Sequence, residues 1–196
     1  MTICSDYFEH DIRDWIGEAT VKDCFIDIGA NRGIYTVLAH KIYKFSTVHA
    51  FEPNPEVYET LCTNIKLNGM EKLAKTHNIG LGSKTAEVPF VVDRMHKGGG
   101  RIVPETNRKD IRILIKPLDT VLPVHLRPQI GFVKIDTEGY EAEVLNGMHE
   151  TLTAMPTGAC IMIETTGLSA IQQLLAPHKF THQASNAHDH LFRKYA

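Results

Sequence analysis

The sequence predicts an α/β chain built on a mostly parallel sheet that is doubly wound, with helices on both faces. Three observations carry that expectation. Short runs rich in β-branched residues alternate with amphipathic stretches from residue 24 almost to the C-terminus. Several of these runs, among them CFIDIG (24–29) and GFVKID (131–136), are largely apolar up to a final Gly or carboxylate, as strands buried on both faces are. Strands separated by helices pair in parallel, and right-handed crossovers then cover both faces of the sheet.

At 196 residues the chain is expected to form one domain, a short helical lead-in over 1–20 and a core over 21–196. Apolar residues make up 43% and charged residues 22%, which excludes collagen-like and low-complexity classes. A formal net charge of −2 provides no bulk attraction to nucleic acid or to an anionic membrane, so neither is an expected partner. No apolar run approaches the ~18–20 residues a membrane span needs. The acidic start MTICSDYFEHDIRDW does not read as a secretory leader. Cys4, Cys24, Cys62 and Cys160 are far apart and form no C-x-x-C pair, which points to reduced thiols in a cytoplasmic protein.

The elements follow in order. CFIDIG is the first strand, and Ile34 to Tyr43 reads as a helix with Val37, Leu38 and Ile42 on one face. TVHAF (47–51) is the second strand. Asn54 is a natural N-cap with Pro55 at the first helical position, and the helix carrying Val57, Leu61, Ile65 and Leu67 should stop near Asn68-Gly69. AKTHNIG (74–80), EVPFVV (87–92) and IRILIKP (111–117) read as further strands. GFVKID and ACIMIE (159–164) flank a helix expected over Glu138 to Leu152. Leu168 to Leu175 is one more helix, and KFTHQ with HLFRKY suggests a closing antiparallel hairpin.

The segment FIDIGANRGIYT (25–36) fits strand, glycine-rich turn, helix, and such turns line ligand crevices in open α/β sheets. It is not a dinucleotide fingerprint, because Asn31 and Ile34 stand where the second and third glycines belong, and no G-K-[ST] marks a phosphate loop. What remains is Asp27, Gly29 and Gly33, with the Asp27 carboxylate expected to point into the crevice. A carboxylate there suits an ammonium or sulfonium and repels phosphate. Glu52 lies 23 residues after Gly29, a spacing at which a carboxylate commonly accepts ribose hydroxyls. Together they describe a pocket for S-adenosyl-L-methionine.

With these motifs the chain resembles the FkbM family of S-adenosylmethionine-dependent methyltransferases. The resemblance rests on FIDIGANRGIYT with HAFEPNPEVYETLCTNIKLN (49–68), on LDTVL (118–122), and on VKIDTEGYEAEVLNGM (133–148) with IMIE (161–164). It implies the class I methyltransferase (Rossmann-like) fold, a seven-stranded sheet whose last strand is antiparallel, and methylation of an oxygen on a sugar or small molecule. It implies that Asp27, Gly29, Ala30, Asn31 and Gly33 hold the methionine part and Glu52 the ribose. The third strand lacks the terminal acidic residue common in this fold, so Asn78, in NIGLG (78–82), is the expected amide partner for the adenine.

An alcohol acceptor must lose a proton, which favours a nearby base. Asp136, at the end of VKID, is the expected base. Glu138 either assists it or merely stabilises a helix N-terminus. Glu164 ends the adjacent strand and is expected, with Lys134, on the acceptor side. Lys134 is either a counter-ion to this cluster or a snorkelling surface lysine. No ligand spacing demands a metal. The H-x-H of His188 and His190 reads as a surface feature. Residues 93–110 carry a local charge of +2 around Gly98-Gly99-Gly100 and read as a lid over the acceptor or as a solvated loop. With little else inserted, a large acceptor calls for an open crevice or a second subunit, so a homodimer is an open possibility. The rivals to a methyltransferase acting on a small-molecule or glycan hydroxyl are an NAD-dependent oxidoreductase on a related fold and a binding module without catalysis. Base methylation of nucleic acid is disfavoured by the charge and by the lack of an N/D-P-P-Y-type motif.

Overall fold

The computed structural model describes residues 10–92, 100–104 and 111–196. Its strands are β1 (Cys24–Ile28), β2 (Thr47–Phe51), β3 (Ala74–His77), β4 (Gly80–Leu81), β5 (Ala86–Val92), β6 (Gly100–Ile102), β7 (Ile111–Lys116), β8 (Ile130–Ile135), β9 (Cys160–Glu164), β10 (Phe180–Asn186) and β11 (Asp189–Lys194). Its α-helices are α1 (His10–Gly17), α2 (Ile34–Lys41), α3 (Pro55–Leu67), α4 (Leu118–Val121), α5 (Glu141–Asn146), α6 (His149–Ala154) and α7 (Leu168–Leu175).

Seven strands make the main sheet, in the order β10-β11-β9-β8-β1-β2-β3. The pairs β1–β2, β2–β3, β1–β8 and β8–β9 are parallel, while β11 runs antiparallel to both β9 and β10. The expected parallel sheet, its final antiparallel strand and the closing hairpin are thus present.

Period-two alternation divides the core. Ile26, Ile28, Val133, Ile135, Ile161 and Ile163 face one layer, packed by Val144, Leu145, Leu152, Ile171 and Leu175 of the later helices. Phe25, Phe132, Cys160 and Met162 face the other, packed by Ile12, Trp15, Ile16, Leu38, Leu61 and Ile65 of α1, α2 and α3. The Asn54 side chain caps α3 by accepting from the Glu56 N–H at 3.1 Å. Two residues expected on buried helix faces lie outside: Ile42 follows the last turn of α2 and Leu67 ends α3, and both are exposed.

The middle of the chain departs from a simple alternation. The run 74–80 is not one strand. β3 ends at His77, the chain crosses at Asn78-Ile79, and β4 joins a second sheet of order β4-β7-β5-β6. EVPFVV and IRILIKP therefore lie outside the main sheet, where Phe90, Ile113 and Ile115 form a small core of their own. The helix expected over 138–152 is broken into α5 and α6. A Cβ on Gly147 would sit 2.0 Å from the Gly82 carbonyl oxygen, so the chain just after β4 packs directly on the backbone at this break and requires glycine there. Asp119 of LDTVL restarts it, accepting from the Glu150 and Thr151 N–H groups at 2.8 Å each. Cys24, Cys62 and Cys160 are free thiols. No described helix is long and apolar enough to cross a membrane.

Candidate active site

The C-terminal tips of β1, β2 and β8 open into a cavity of about 660 Å³, open solvent included. The turn after β1 is shaped by left-handed backbone at Gly29, Asn31 and Gly33 (φ 75°, 51° and 84°). Asn tolerates that region better than most side chains, which gives the D-x-G-A-N pattern a backbone reason. Gly29 is required for a close approach: a Cβ there would lie 1.8 Å from the Asp136 carbonyl oxygen, across the β1–β8 junction. The Gly29 and Ala30 N–H groups donate to the Phe51 carbonyl at 3.0 and 2.9 Å, tying this turn to the end of β2.

Glu52 follows β2 and lines the cavity, 5% exposed. One carboxylate oxygen accepts from the Asn31 N–H at 2.9 Å and the other from the Asn54 N–H at 2.8 Å. Burial pushes its pKa up to about 7, against the opposing pull of those two donors. Asp136 and Glu138 line the same cavity from the end of β8. Glu138 does not belong to a helix. It precedes α5 with φ 55° and is exposed, in a turn held by Glu141. One Glu141 oxygen accepts from the Thr137 hydroxyl and the Gly139 N–H at 2.9 Å each, and from the Thr137 N–H at 3.3 Å.

Other sequence-predicted residues lie behind or beside the cavity. Asp27, expected to point into the crevice, is wholly buried among the α2-facing side chains. Its Oδ2 accepts the Thr36 hydroxyl at 2.6 Å, its Oδ1 has no hydrogen-bond partner among the described residues, and burial raises its pKa against the pull of Lys134 and Thr36. Ala30 and Gly33 are buried and do not line the cavity; a Cβ on Gly33 would meet Leu61 Cδ1 at 2.5 Å. Asn78 also lies outside the lining. Its amide donates to the Glu52 and Pro53 carbonyls at 2.9 and 3.2 Å, so it pins the segment that presents Glu52. Lys134 is not a surface lysine. It is 3% exposed, and its Nζ is 2.9 Å from Asp136 Oδ2.

Glu164 opens onto an adjoining depression with Glu138, Gly139, Glu141, Thr165, Thr166 and His188. Desolvation, then the charges of Asp136, Asp189 and Glu138, push its pKa up to about 7. The two histidines of H-x-H do not form a pair of ligands: His188 is exposed, while His190 is buried with its ring nitrogens near Ser185 Oγ (2.8 Å) and the Thr165 carbonyl (3.2 Å). The loop expected over 93–110 falls largely outside the described residues. Its described part, 100–104, supplies Gly100 and Ile102 to the cavity.

Sequence reasoning missed the cavity's apolar wall. Ile79, Leu81, Phe90, Ile102 and Tyr140 form it together with Phe51. Tyr140 stood inside the quoted VKIDTEGYEAEV motif, whereas Phe90 and Ile102 depend on the pairing of β5 with β6, which no local pattern announces.

The strand order, the reversed β11 and a cavity over the tips of β1 and β2 define the class I methyltransferase fold. Residues 27–192 match the Methyltransferase FkbM domain, and the chain belongs to that family. Methyltransferase sdnD of Sordaria araneosa is 27% identical over 155 residues, covering 64% of this chain and 60% of that protein. The hexuronic acid methyltransferase AglP of Haloferax volcanii is 27% identical over 144 residues, covering 74% of this chain and 57% of that protein. The chain thus spans less than two thirds of the length of these relatives. The crystal structure of an FkbM methyltransferase from Methylobacillus flagellatus shares the fold, with a TM-score of 0.62 at 17% identity over 88% of this chain and 43% of that one.

Proposed function

We propose that this methyltransferase domain uses S-adenosyl-L-methionine to methylate a hydroxyl of a small molecule or glycan. One observation carries the reading. Among the described residues the cavity lining holds the carboxylates of Glu52, Asp136 and Glu138 and no lysine, arginine or histidine. Such a lining favours a cation-bearing nucleoside and opposes a diphosphate, which disfavours a nicotinamide dinucleotide.

The residues present fit the nucleoside. Glu52 has two oxygens, each engaged by a single N–H among the described contacts, leaving lone pairs for ribose hydroxyls. The backbone around Gly29 and Asn31 would hold the amino-acid arm, and Ile79 and Phe90 offer the adenine an apolar face. When bound, the cofactor supplies an electrophilic methyl group on a sulfonium. The chain's own part is to orient the acceptor and manage its proton. Asp136, fixed by Lys134 at the acidic end of the cavity, accepts the acceptor hydroxyl's hydrogen bond and takes its proton. Glu138, in the capped turn beside it, is accessible to further hydroxyls. The relative named for hexuronic acid supports a glycan acceptor.

Calorimetry with S-adenosylhomocysteine and with NAD, followed by transfer of labelled methyl from S-adenosylmethionine to hydroxylated acceptors, tests this function. Binding of the nucleoside but not NAD, with label recovered in an ether linkage, is the expected result. Tight NAD binding or label recovered on nitrogen would overturn it.

A further inference from the structure

Behind the cavity a cation is buried among strand-end carboxylates. Lys134 lies opposite Asp27 in the β1–β8 register, and alternation turns both side chains toward the α2 face. Its Nζ lies 2.9 Å from Asp136 Oδ2 and 5.2 Å from the centre of the Tyr35 ring. Removing an ammonium from water is costly unless nearby negative charge compensates it. The carboxyl groups around it come from several strands. Asp27 belongs to β1 and Asp136 follows β8. Glu164 ends β9 and is the register partner of Asp189 at the start of β11.

The groups facing Glu164 among the described residues can be named. From the β8 side come Lys134, Asp136 and Glu138, from α5 comes Glu141, and from the β11 side come Asp189 and His188. Of these, Lys134 opposes the proton affinity that Asp136, Asp189 and Glu138 raise in Glu164, and it acts in the same direction on Asp27 and Asp189. A single lysine therefore serves carboxylates of β1, β9 and β11 as well as its hydrogen-bonded partner Asp136.

We propose that Lys134 is a positioning residue, a shared buried counter-ion that holds Asp136 at the reacting end beside Glu164 and Asp189. The use made of that end rests on the proposed methyl transfer, but the role of Lys134 is measurable without any acceptor. A surface lysine would leave these carboxylates unaffected. A lysine that only filled space would be replaced equally well by methionine, which has a similar length and no charge.

The test is a ¹³C NMR titration of side-chain carboxyl groups in the whole chain. Glu164 is expected to titrate near 7 in the parent protein. Lys134→Met should move that midpoint up by about one pH unit, tenfold in proton affinity, because a charge that opposes protonation is gone. Lys134→Arg should return it to the parent value. Asp136→Asn should move it down, because it removes the largest like charge acting on Glu164. An unmoved Glu164 in Lys134→Met, or equal titrations for the Met and Arg variants, would overturn the proposal. If the Met variant does not fold, Lys134→Gln takes its place: a raised Glu164 midpoint supports the shared counter-ion and an unmoved one refutes it. Calorimetry with S-adenosylhomocysteine on the same samples separates the two readings. Failure of the parent protein to bind it would remove the methyl-transfer reading while the titration still decided the role of Lys134.

Discussion

Glu52 and Glu164 both carry pKa values pushed up to about 7, yet the two ends of the crevice reach that value differently. Glu52 is buried and its charge is opposed mainly by lost hydration, while two backbone N–H groups hold its oxygens in place. Glu164 is exposed at its strand end, and the like charges of Asp136, Asp189 and Glu138 add to its desolvation. The end proposed to hold the nucleoside is thus a fixed acceptor of hydrogen bonds whose proton affinity is raised by burial and held down by two backbone donors. The end proposed to react is a charge cluster in which Lys134 is the proposed counter-ion. One is suited to recognition, the other to handling a proton.

The largest effect should come from the reacting end. Asp136→Asn removes the proposed base and is expected to slow transfer at least ~100-fold, in line with general-base contributions. Affinity for S-adenosylhomocysteine should stay within a few-fold, because the nucleoside end is untouched. Normal turnover in steady-state kinetics would show that another group takes the proton. At the nucleoside end, Glu52→Ala should weaken binding by roughly 10- to 100-fold, the loss expected for hydrogen bonds to a charged group. Unchanged affinity in calorimetry would remove the ribose assignment.

The pH dependence sharpens the contrast further. Because the pKa of Glu52 is raised, its contribution to the stability of the free protein is fully present below the ordinary glutamate value and is lost as pH rises through about 7. Ribose hydroxyls donate to the ionised carboxylate, so ligand affinity should follow the opposite course and fall as pH drops below about 7. The thermal shift produced by S-adenosylhomocysteine should therefore grow between pH 6 and pH 8, and Glu52→Gln should flatten it. A shift independent of pH in the parent protein would contradict this. The smallest expected effect is on stability alone. Glu141→Ala leaves the donors of Thr137 and Gly139 without their acceptor and should cost about 1–3 kcal/mol in denaturant unfolding, as the turn presenting Glu138 loosens. An unchanged midpoint would mean that the turn is held by other contacts.

Much of the main sheet was legible because its signals are local. An apolar run ending in Gly29, an N-cap at Asn54 followed by Pro55, and the acidic residue at Glu52 each specify their surroundings within a few residues. The second sheet was not legible in that way. β4 is two residues long, and its partner β7 lies some thirty residues further along the chain, so its existence depends on pairing at a distance. The glycine at the helix break, Gly147, is likewise set at a distance, since the contact that requires it comes from Gly82. In the site, spacing located Glu52 and Asp136 at the cavity. It did not resolve which face of β1 and β8 was open, and so it left Asp27 in the crevice and Lys134 undecided. Alternation assigns side chains to faces but does not say that α2 closes over this one.

The central claim is that the acidic cavity over β1 and β2 admits a sulfonium nucleoside and rejects a diphosphate. The most direct measurement is a calorimetric competition at pH 8, with S-adenosylmethionine, S-adenosylhomocysteine and NAD titrated into the parent protein and into Glu52→Ala. The account predicts that both adenosyl ligands bind the parent protein, that the Glu52 variant binds them at least roughly tenfold more weakly, and that NAD binds neither. NAD bound as tightly as S-adenosylmethionine, or adenosyl binding unaffected by loss of Glu52, would contradict it.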